Sequence, residues 1–140
     1  MSATSTVKDD STMPSAPEAE MGVLAFALAP EEQKEIVNAM SLLKPSDFYS
    51  VSNRRIFEAC IELQKREEEI NIVTICTQLR EWQLLESVGG IAYIAHLGDG
   101  MCFRGTMDSF IQKILDASLR RSIITQSNQV LAMALDSSIP

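Results

Sequence analysis

The residues with the most reactive side chains are three cysteines and a single histidine. They are Cys60, Cys76, Cys102 and His96, and the chemistry open to such a set is a disulfide, a zinc site or a thiol nucleophile. An odd number of widely spaced cysteines does not indicate a disulfide framework, and one histidine does not complete a zinc site with them. Cys60 and Cys76 fall on apolar faces of predicted helices, which favours small core residues.

Phosphate binding and acid–base catalysis find equally little support. Gly89-Gly90 is the one glycine pair that invites comparison with a phosphate loop, but the GxxxxGK[ST] pattern does not surround it. His96 has no second histidine and no Ser, Asp or Cys constellation at a recognisable catalytic spacing. We therefore predict no catalytic residue, no metal site and no cofactor in this chain, and an enzyme is the weakest of the function classes considered.

Composition and charge narrow the class of protein further. The 140 residues carry a net charge of −7 and 46% hydrophobic residues, which fits one globular domain whose surface repels phosphate. Direct nucleic-acid binding is therefore not expected. No apolar run approaches the roughly 20 residues of a membrane span, and Glu18 and Glu20 precede the longest run, where a signal peptide would carry basic charge. These features predict a cytoplasmic protein with no membrane partner.

The elements that would position these residues are all predicted to be helices. The densest signal lies between Lys44 and Leu97, where an aromatic pair, Phe48-Tyr49, precedes an amphipathic helix over about 52–68. Further helices are predicted over about 16–29, 91–97 and 106–136, with two more beginning near 30 and 71. Residues 1–14 are polar and are predicted to be a disordered leader, residues 15–105 a helical head domain, and residues 106–140 a long C-terminal helix.

Local signals define several helix starts and inner faces. Ser15 and Glu18 have the spacing of a capping box. Pro30 suits a first helical turn, and Asn71 is a good N-cap. The inner faces are predicted to include Val37 in the second helix and Val73 in the fourth. With these starts, the chain forms about five helices before the long one.

The last predicted helix is too long for the domain that precedes it. From Thr106 to Asp136 there is no Pro or Gly, so about 30 helical residues would extend roughly 45 Å. A compact unit of this size is expected to be roughly 35–40 Å across. We therefore predict that part of the helix projects. The alternative is a helix broken near Ser127-Asn128 and folded back.

Two apolar stripes on this helix lack a partner in the sequence. One follows a 4-3 spacing, interrupted by one Arg and one Asn: Phe110, Ile114, Ala117, Arg121, Ile124, Asn128, Leu131 and Leu135. The second runs through Leu119, Ile123, Val130 and Ala134. The pattern predicts pairing with another copy of the chain or with a segment outside it.

With these elements placed, the sequence resembles the N-terminal domain of the replicative DnaB-type hexameric helicases of bacteria, phages and plasmids. The resemblance covers about 14–124 and rests on the order and spacing of several short runs. These runs are Glu18-Ala19-Glu20 with Val23-Leu24, Lys44-Pro45 through Asp47-Phe48-Tyr49, Arg54 with Ile56-Phe57-Glu58-Ala59, Val73-Thr74 with Leu79, Gly89-Gly90 with Ala92-Tyr93-Ile94 and Leu97, Phe110, and Arg120-Arg121-Ser122-Ile123-Ile124. The chain departs from the family at Asn53, Ala25 and Phe110, where histidine, glycine and tyrosine are usual, and in the loop 98–105.

The resemblance implies an all-α head, a compact orthogonal bundle of about five helices, followed by the first arm of a helical hairpin. In that family the arms pair between subunits, the domains form a collar above the motor ring, and the collar docks the C-terminal domain of primase and influences helicase loading. ATP and Mg²⁺ act in the motor, for which this chain has no motif. The partners implied are thus a second copy, primase and a helicase loader.

The resemblance and the apolar stripes together give two sets of site residues. The predicted subunit interface comprises Phe110, Ile114, Ala117, Arg120, Arg121, Ile124, Leu131 and Leu135. The predicted core of the head comprises Leu24, Phe48, Tyr49, Ile56, Phe57, Leu79, Tyr93 and Leu97.

Two other functions stay open at this point. Residues 71–90 with Arg80 can be interpreted as a small helix-turn-helix-like DNA-binding module, although the acidic charge argues against it. A stand-alone helical adaptor for other proteins is the second alternative.

Overall fold

The structure, a computed structural model, describes residues 13–29, 33–99 and 105–138. Every regular element within these ranges is helical. The helices are α1 (Pro17–Ala27), α2 (Gln33–Leu42), α3 (Val51–Lys65), α4 (Ile72–Glu81), α5 (Gly90–Asp99) and α6 (Met107–Leu135), with a 3₁₀ turn, Pro45–Asp47, between α2 and α3. The all-α class and the long last helix are therefore confirmed, while most of the predicted leader lies outside the described residues.

The core forms around α1, which contacts α2, α3, α5 and α6. Val23 and Leu24 give α1 a fully buried apolar surface. The rings of Phe48 and Phe57, also fully buried, pack with their centroids 4.6 Å apart. The fully buried members of the predicted core are Leu24, Phe48, Ile56, Phe57, Leu79 and Leu97, and Tyr49 and Tyr93 are half-buried.

Side-chain caps fix where three of the helices begin. The hydroxyl of Ser50 accepts from the amide of Asn53 at the start of α3, and Thr106 does the same for Ser109 at the start of α6. Asn71 caps α4, as predicted, by accepting from the amide of Thr74. Each cap satisfies an amide that has no partner within its helix.

The capping box predicted at Ser15 and Glu18 is wrong. Ala16 is the N-cap of α1, and no side chain caps that helix. Proline in the first turn of α1 removes one of the amides that a cap would satisfy, so the helix begins without one. The helix start predicted at Pro30 lies outside the described residues.

Two predicted inner-face residues point to solvent instead. Val37 is 44% exposed because α2 buries Ile36 and Ala39 beside it, and Val73 is 71% exposed because α4 buries its later residues. In both helices the inner face is rotated slightly from the predicted one. The fold-back alternative for the last helix is also wrong, since α6 runs unbroken over 29 residues.

Candidate assembly site

The candidate site is the part of α6 that leaves the head domain. Met107, Phe110 and Ile114 on the first half of α6 are at most 5% exposed. Every residue from Thr125 to Leu135 is exposed. We call residues 122–135 the arm; these 14 residues extend about 21 Å, so the first half of one helix is core and the second half is surface.

The first anchor of α6 is the ring of Phe110, which lies in a slot between two glycines. A Cβ atom at Gly22 on α1 would lie 2.4–2.7 Å from three ring atoms, and one at Gly105 would lie 2.8 Å from the nearest. Phe26 closes the slot with a tilted ring whose centroid is 6.2 Å away. Any side chain at position 22 would therefore displace the Phe110 ring or the helix that carries it.

The second anchor is Arg121, three helical turns further along, where α6 leaves the head. Its Nη1 donates to the carbonyl of Pro14 at 2.9 Å, and its Nη2 donates to the carbonyl of Asp47 at 2.8 Å. The guanidinium carbon lies 5.2 Å from the centroid of the Tyr49 ring, a geometry that adds cation–π attraction. One side chain thus joins the N-terminal segment, the 3₁₀ turn and α6.

Asp47 provides the head's side of this contact. Its Oδ1 accepts from the hydroxyl of Ser118 at 2.8 Å, while its Oδ2 accepts from the amide of Lys44 at 2.8 Å and so holds its own turn in shape. The side chain is 8% exposed, so water competes little for these bonds. We call Pro14, Asp47, Tyr49, Ser118 and Arg121 the joint.

From the level of the joint to near the end of the arm, α6 presents an apolar stripe to solvent. We call Leu119, Ile123, Val130 and Met133 the outer stripe; they are 61%, 55%, 64% and 60% exposed. With Gln126 they recur at a 4-3-4-3 spacing, which places them along one side of the helix. At about 100° per residue this side is opposite the one that docks on the head. The outer stripe is therefore free to receive another helix.

The structure divides the predicted interface residues between the head and the arm. The structure corrects the prediction for Phe110, Ile114 and Ala117. They are buried inside this chain at 5%, 1% and 6% exposure and have little surface left for another subunit. The remaining positions are distributed along the second half of α6: Arg120 is exposed, Arg121 is in the joint, Ile124 is half-buried, and Leu131 and Leu135 are 57% and 76% exposed.

Arg120 and its neighbours form the rim of a groove. Arg120 pairs with Asp116 at 2.9 Å, both side chains being more than 60% exposed, so the pair contributes little stability. The groove has a volume of about 570 Å³ and lies between the segment 14–19 and α6, with Phe110 and Lys113 also lining it.

A buried carboxylate ties α1 to the start of α3. Glu20 is 1% exposed and accepts from the amide of Tyr49 at 2.7 Å, the amide of Ser50 at 3.3 Å and Nδ2 of Asn53 at 3.0 Å. The hydroxyl of Tyr93 donates to Oδ1 of Asn53. Burial and the nearby Glu20 raise the pKa of Tyr93. The carboxylate lies at the positive end of the α3 dipole, which stabilises a negative charge there. Asn53 links Glu20 to Tyr93 and so completes the network.

The two described cysteines are core residues, as predicted. Burial raises the pKa of Cys60 to about 12, and burial also raises the pKa of Cys76 against the opposing effect of Arg80. Both thiols therefore stay protonated at neutral pH and are poor nucleophiles. Within the described ranges, no cluster of three or more His, Cys, Asp or Glu could hold a metal ion.

No helix in the described part of the chain is both long and apolar enough to cross a bilayer.

Comparison with known proteins finds relatives among the replicative DNA helicases. Residues 12–116 match the family model described as "DnaB-like helicase N terminal domain". The replicative DNA helicase DnaB of Treponema pallidum is 30% identical over 122 residues, which are 87% of this chain and 27% of that protein. The replicative DNA helicase DnaC of Bacillus subtilis is 30% identical over 114 residues, 81% of this chain and 24% of that protein. The chain thus spans about a quarter of the length of these curated relatives.

Solved structures share the fold. The N-terminal domain of DnaB helicase from Mycobacterium tuberculosis superposes with a TM-score of 0.80 at 21% identity, covering 91% of both chains. The N-terminal domain of DnaB helicase from Helicobacter pylori, described together with its interactions with primase, superposes with a TM-score of 0.66 at 17% identity, covering 86% of this chain and 94% of the other.

Proposed function

Because the chain belongs to the DnaB-like helicase N-terminal domain family, we propose that it is the assembly and docking domain of a replicative DNA helicase. The observation that carries this proposal is the family match over residues 12–116, joined at its end by an arm with an exposed apolar stripe. ATP and Mg²⁺ would act in the motor part of such a helicase. The match includes residues 71–90, so a separate DNA-binding motif there is no longer needed to explain them.

The assembly contact we propose is the outer stripe against the same stripe of a second copy. A stripe at heptad spacing buries its side chains when a helix of matching spacing packs on it. Gln126 lies at the centre of the stripe, with Leu119 and Met133 at its two ends. An antiparallel pair centred on Gln126 would bring each Leu119 to a Met133 and each Ile123 to within one residue of the level of a Val130, with the two amides able to hydrogen-bond.

Replacing Val130 with glutamate is expected to abolish self-association. A charge in the centre of an apolar helix pair would have to be buried without a partner, which costs several kcal/mol. Light scattering over a concentration series should show the unchanged chain shifting toward dimers and the Val130→Glu variant staying monomeric. Gln129→Glu adds the same charge at an exposed neighbouring position outside the stripe, and this control should still associate.

Two results would count against the assembly proposal. If the unchanged chain stays strictly monomeric at high micromolar concentration, the outer stripe does not pair with a second copy. Equal association by Val130→Glu and the unchanged chain would place the contact elsewhere.

The docking partner we propose is the C-terminal domain of a primase, with a helicase loader as a further partner. The support is the family and the likeness to the Helicobacter pylori domain, whose structure is described with its primase interactions. Titration calorimetry with the C-terminal primase domain from the same replication system should show saturable binding. The Phe57→Ala variant, whose core is destabilised, is the control: weaker binding by this variant would show that primase binding requires the folded domain. Absence of heat at protein concentrations in the high micromolar range would contradict this role.

A further inference from the structure

We propose that Arg121 is the positioning residue that fixes the direction of the arm, and that the segment 13–16 helps to fix it through the joint. The inference concerns the single chain, so it holds whether or not two arms pair.

The first argument is the geometry of the joint. A guanidinium group is planar and carries several N–H donors in a fixed fork, and here two of them reach carbonyls at 2.9 and 2.8 Å. The two acceptors are 107 and 74 residues away from Arg121 in sequence. A lysine could not supply both bonds with the same fixed angle between them. Arg121 therefore restrains the helix in two directions at once.

The second argument is leverage. From Met107 to Arg121 the docked part of α6 is about 22 Å long, and the arm beyond it is about 21 Å. Without Arg121 the last polar contact to the head is Ser118 to Asp47, so the docked part shortens to about 18 Å and the free part lengthens to about 26 Å. A given tilt about the last contact would then move the tip about 1.2-fold further.

The third argument is the position of the joint relative to the core. Arg121 is half-buried and bonds main-chain carbonyls at the edge of the domain, whereas the apolar core lies behind it. Loss of its contacts should leave the core folded while loosening the arm. Because Pro14 is one of the acceptors, whatever displaces the segment 13–16 must also weaken the hold on the arm, and the coupling is reciprocal.

The experiment compares Arg121→Met with Arg120→Met by residual dipolar couplings of backbone amides in the full chain, at a concentration where it is monomeric. Methionine keeps an unbranched apolar stem but removes every donor. The matched control removes only the exposed ion pair to Asp116. In the unchanged chain and in Arg120→Met, the couplings of the arm and the head should fit one alignment tensor. In Arg121→Met the arm couplings should shrink relative to those of the head, while the head couplings stay unchanged.

The proposal is overturned if the arm of Arg121→Met keeps the tensor of the head, or if Arg120→Met loosens the arm equally. A second variant, lacking residues 1–14, removes the Pro14 carbonyl without touching α6 and should show part of the same loss. If the arm of this truncated variant remains as ordered as in the unchanged chain, the N-terminal segment does not help to fix the direction of the arm. These couplings are measured on the monomer and do not depend on self-association. Failure of the assembly proposal is therefore distinguishable from failure of this one.

Discussion

Replacing Phe57 with alanine is expected to lower the free energy of unfolding by about 3–5 kcal/mol. The side chain is fully buried, and its ring packs against Phe48 at a centroid distance of 4.6 Å. Removing the ring gives up its transfer free energy and leaves a cavity that the surrounding helices can fill only in part. Denaturant melts followed by circular dichroism would measure the loss.

The matched control for Phe57→Ala is Val73→Ala, because Val73 is 71% exposed. That change should stay within about 0.5 kcal/mol of the unchanged chain. A loss of less than about 1 kcal/mol for Phe57→Ala would place the ring outside the core, contrary to the packing described here.

Replacing Gly22 with alanine is expected to destabilise the domain by about 1–3 kcal/mol, or more if α6 cannot shift. The added methyl group would lie 2.4–2.7 Å from atoms of the Phe110 ring, well inside van der Waals contact. Since the ring is also enclosed by Gly105 and Phe26, it has little space to move. Denaturant melts again give the free energy.

A double-mutant cycle separates this clash from the intrinsic effect of alanine. Phe110→Leu shortens the side chain that the new methyl group meets, so the pair Gly22→Ala with Phe110→Leu should cost less than the sum of the two single changes. Alanine has a helix propensity about 1 kcal/mol more favourable than that of glycine, and this gain is common to both arms of the cycle and cancels. Simple additivity in the cycle would show that the glycine slot does not constrain α6.

Apolar periodicity predicted the helices of the head, because each needs one buried face and the spacing of its apolar residues reveals that face. The same signal could not say which molecule covers the face. On α6 the stripe beginning at Phe110 and Ile114 docks on the chain's own head, whereas Leu131 and Leu135 on the same stripe are exposed. Periodicity is blind to this difference, since a core and a subunit interface impose the same spacing.

The joint was not predicted because its members are far apart in sequence and its acceptors are main-chain carbonyls. Arg121, like Asn128, interrupts a largely apolar stripe, and this interruption is the signal that the sequence offers. A charged residue at such a position must find polar partners at the domain surface. Which partners it finds depends on the fold, because Pro14 and Asp47 come together only when α1 and the 3₁₀ turn have packed.

The choice of acceptors at Arg121 has an evolutionary consequence. Every type of amino acid supplies a main-chain carbonyl oxygen. Mutations at position 14 can therefore change the side chain there without removing the oxygen that accepts from the Arg121 guanidinium. Selection for these contacts should therefore act on the arginine and on the backbone geometry around position 14. Homologous proteins should be able to keep the same arm direction while their N-terminal sequences diverge.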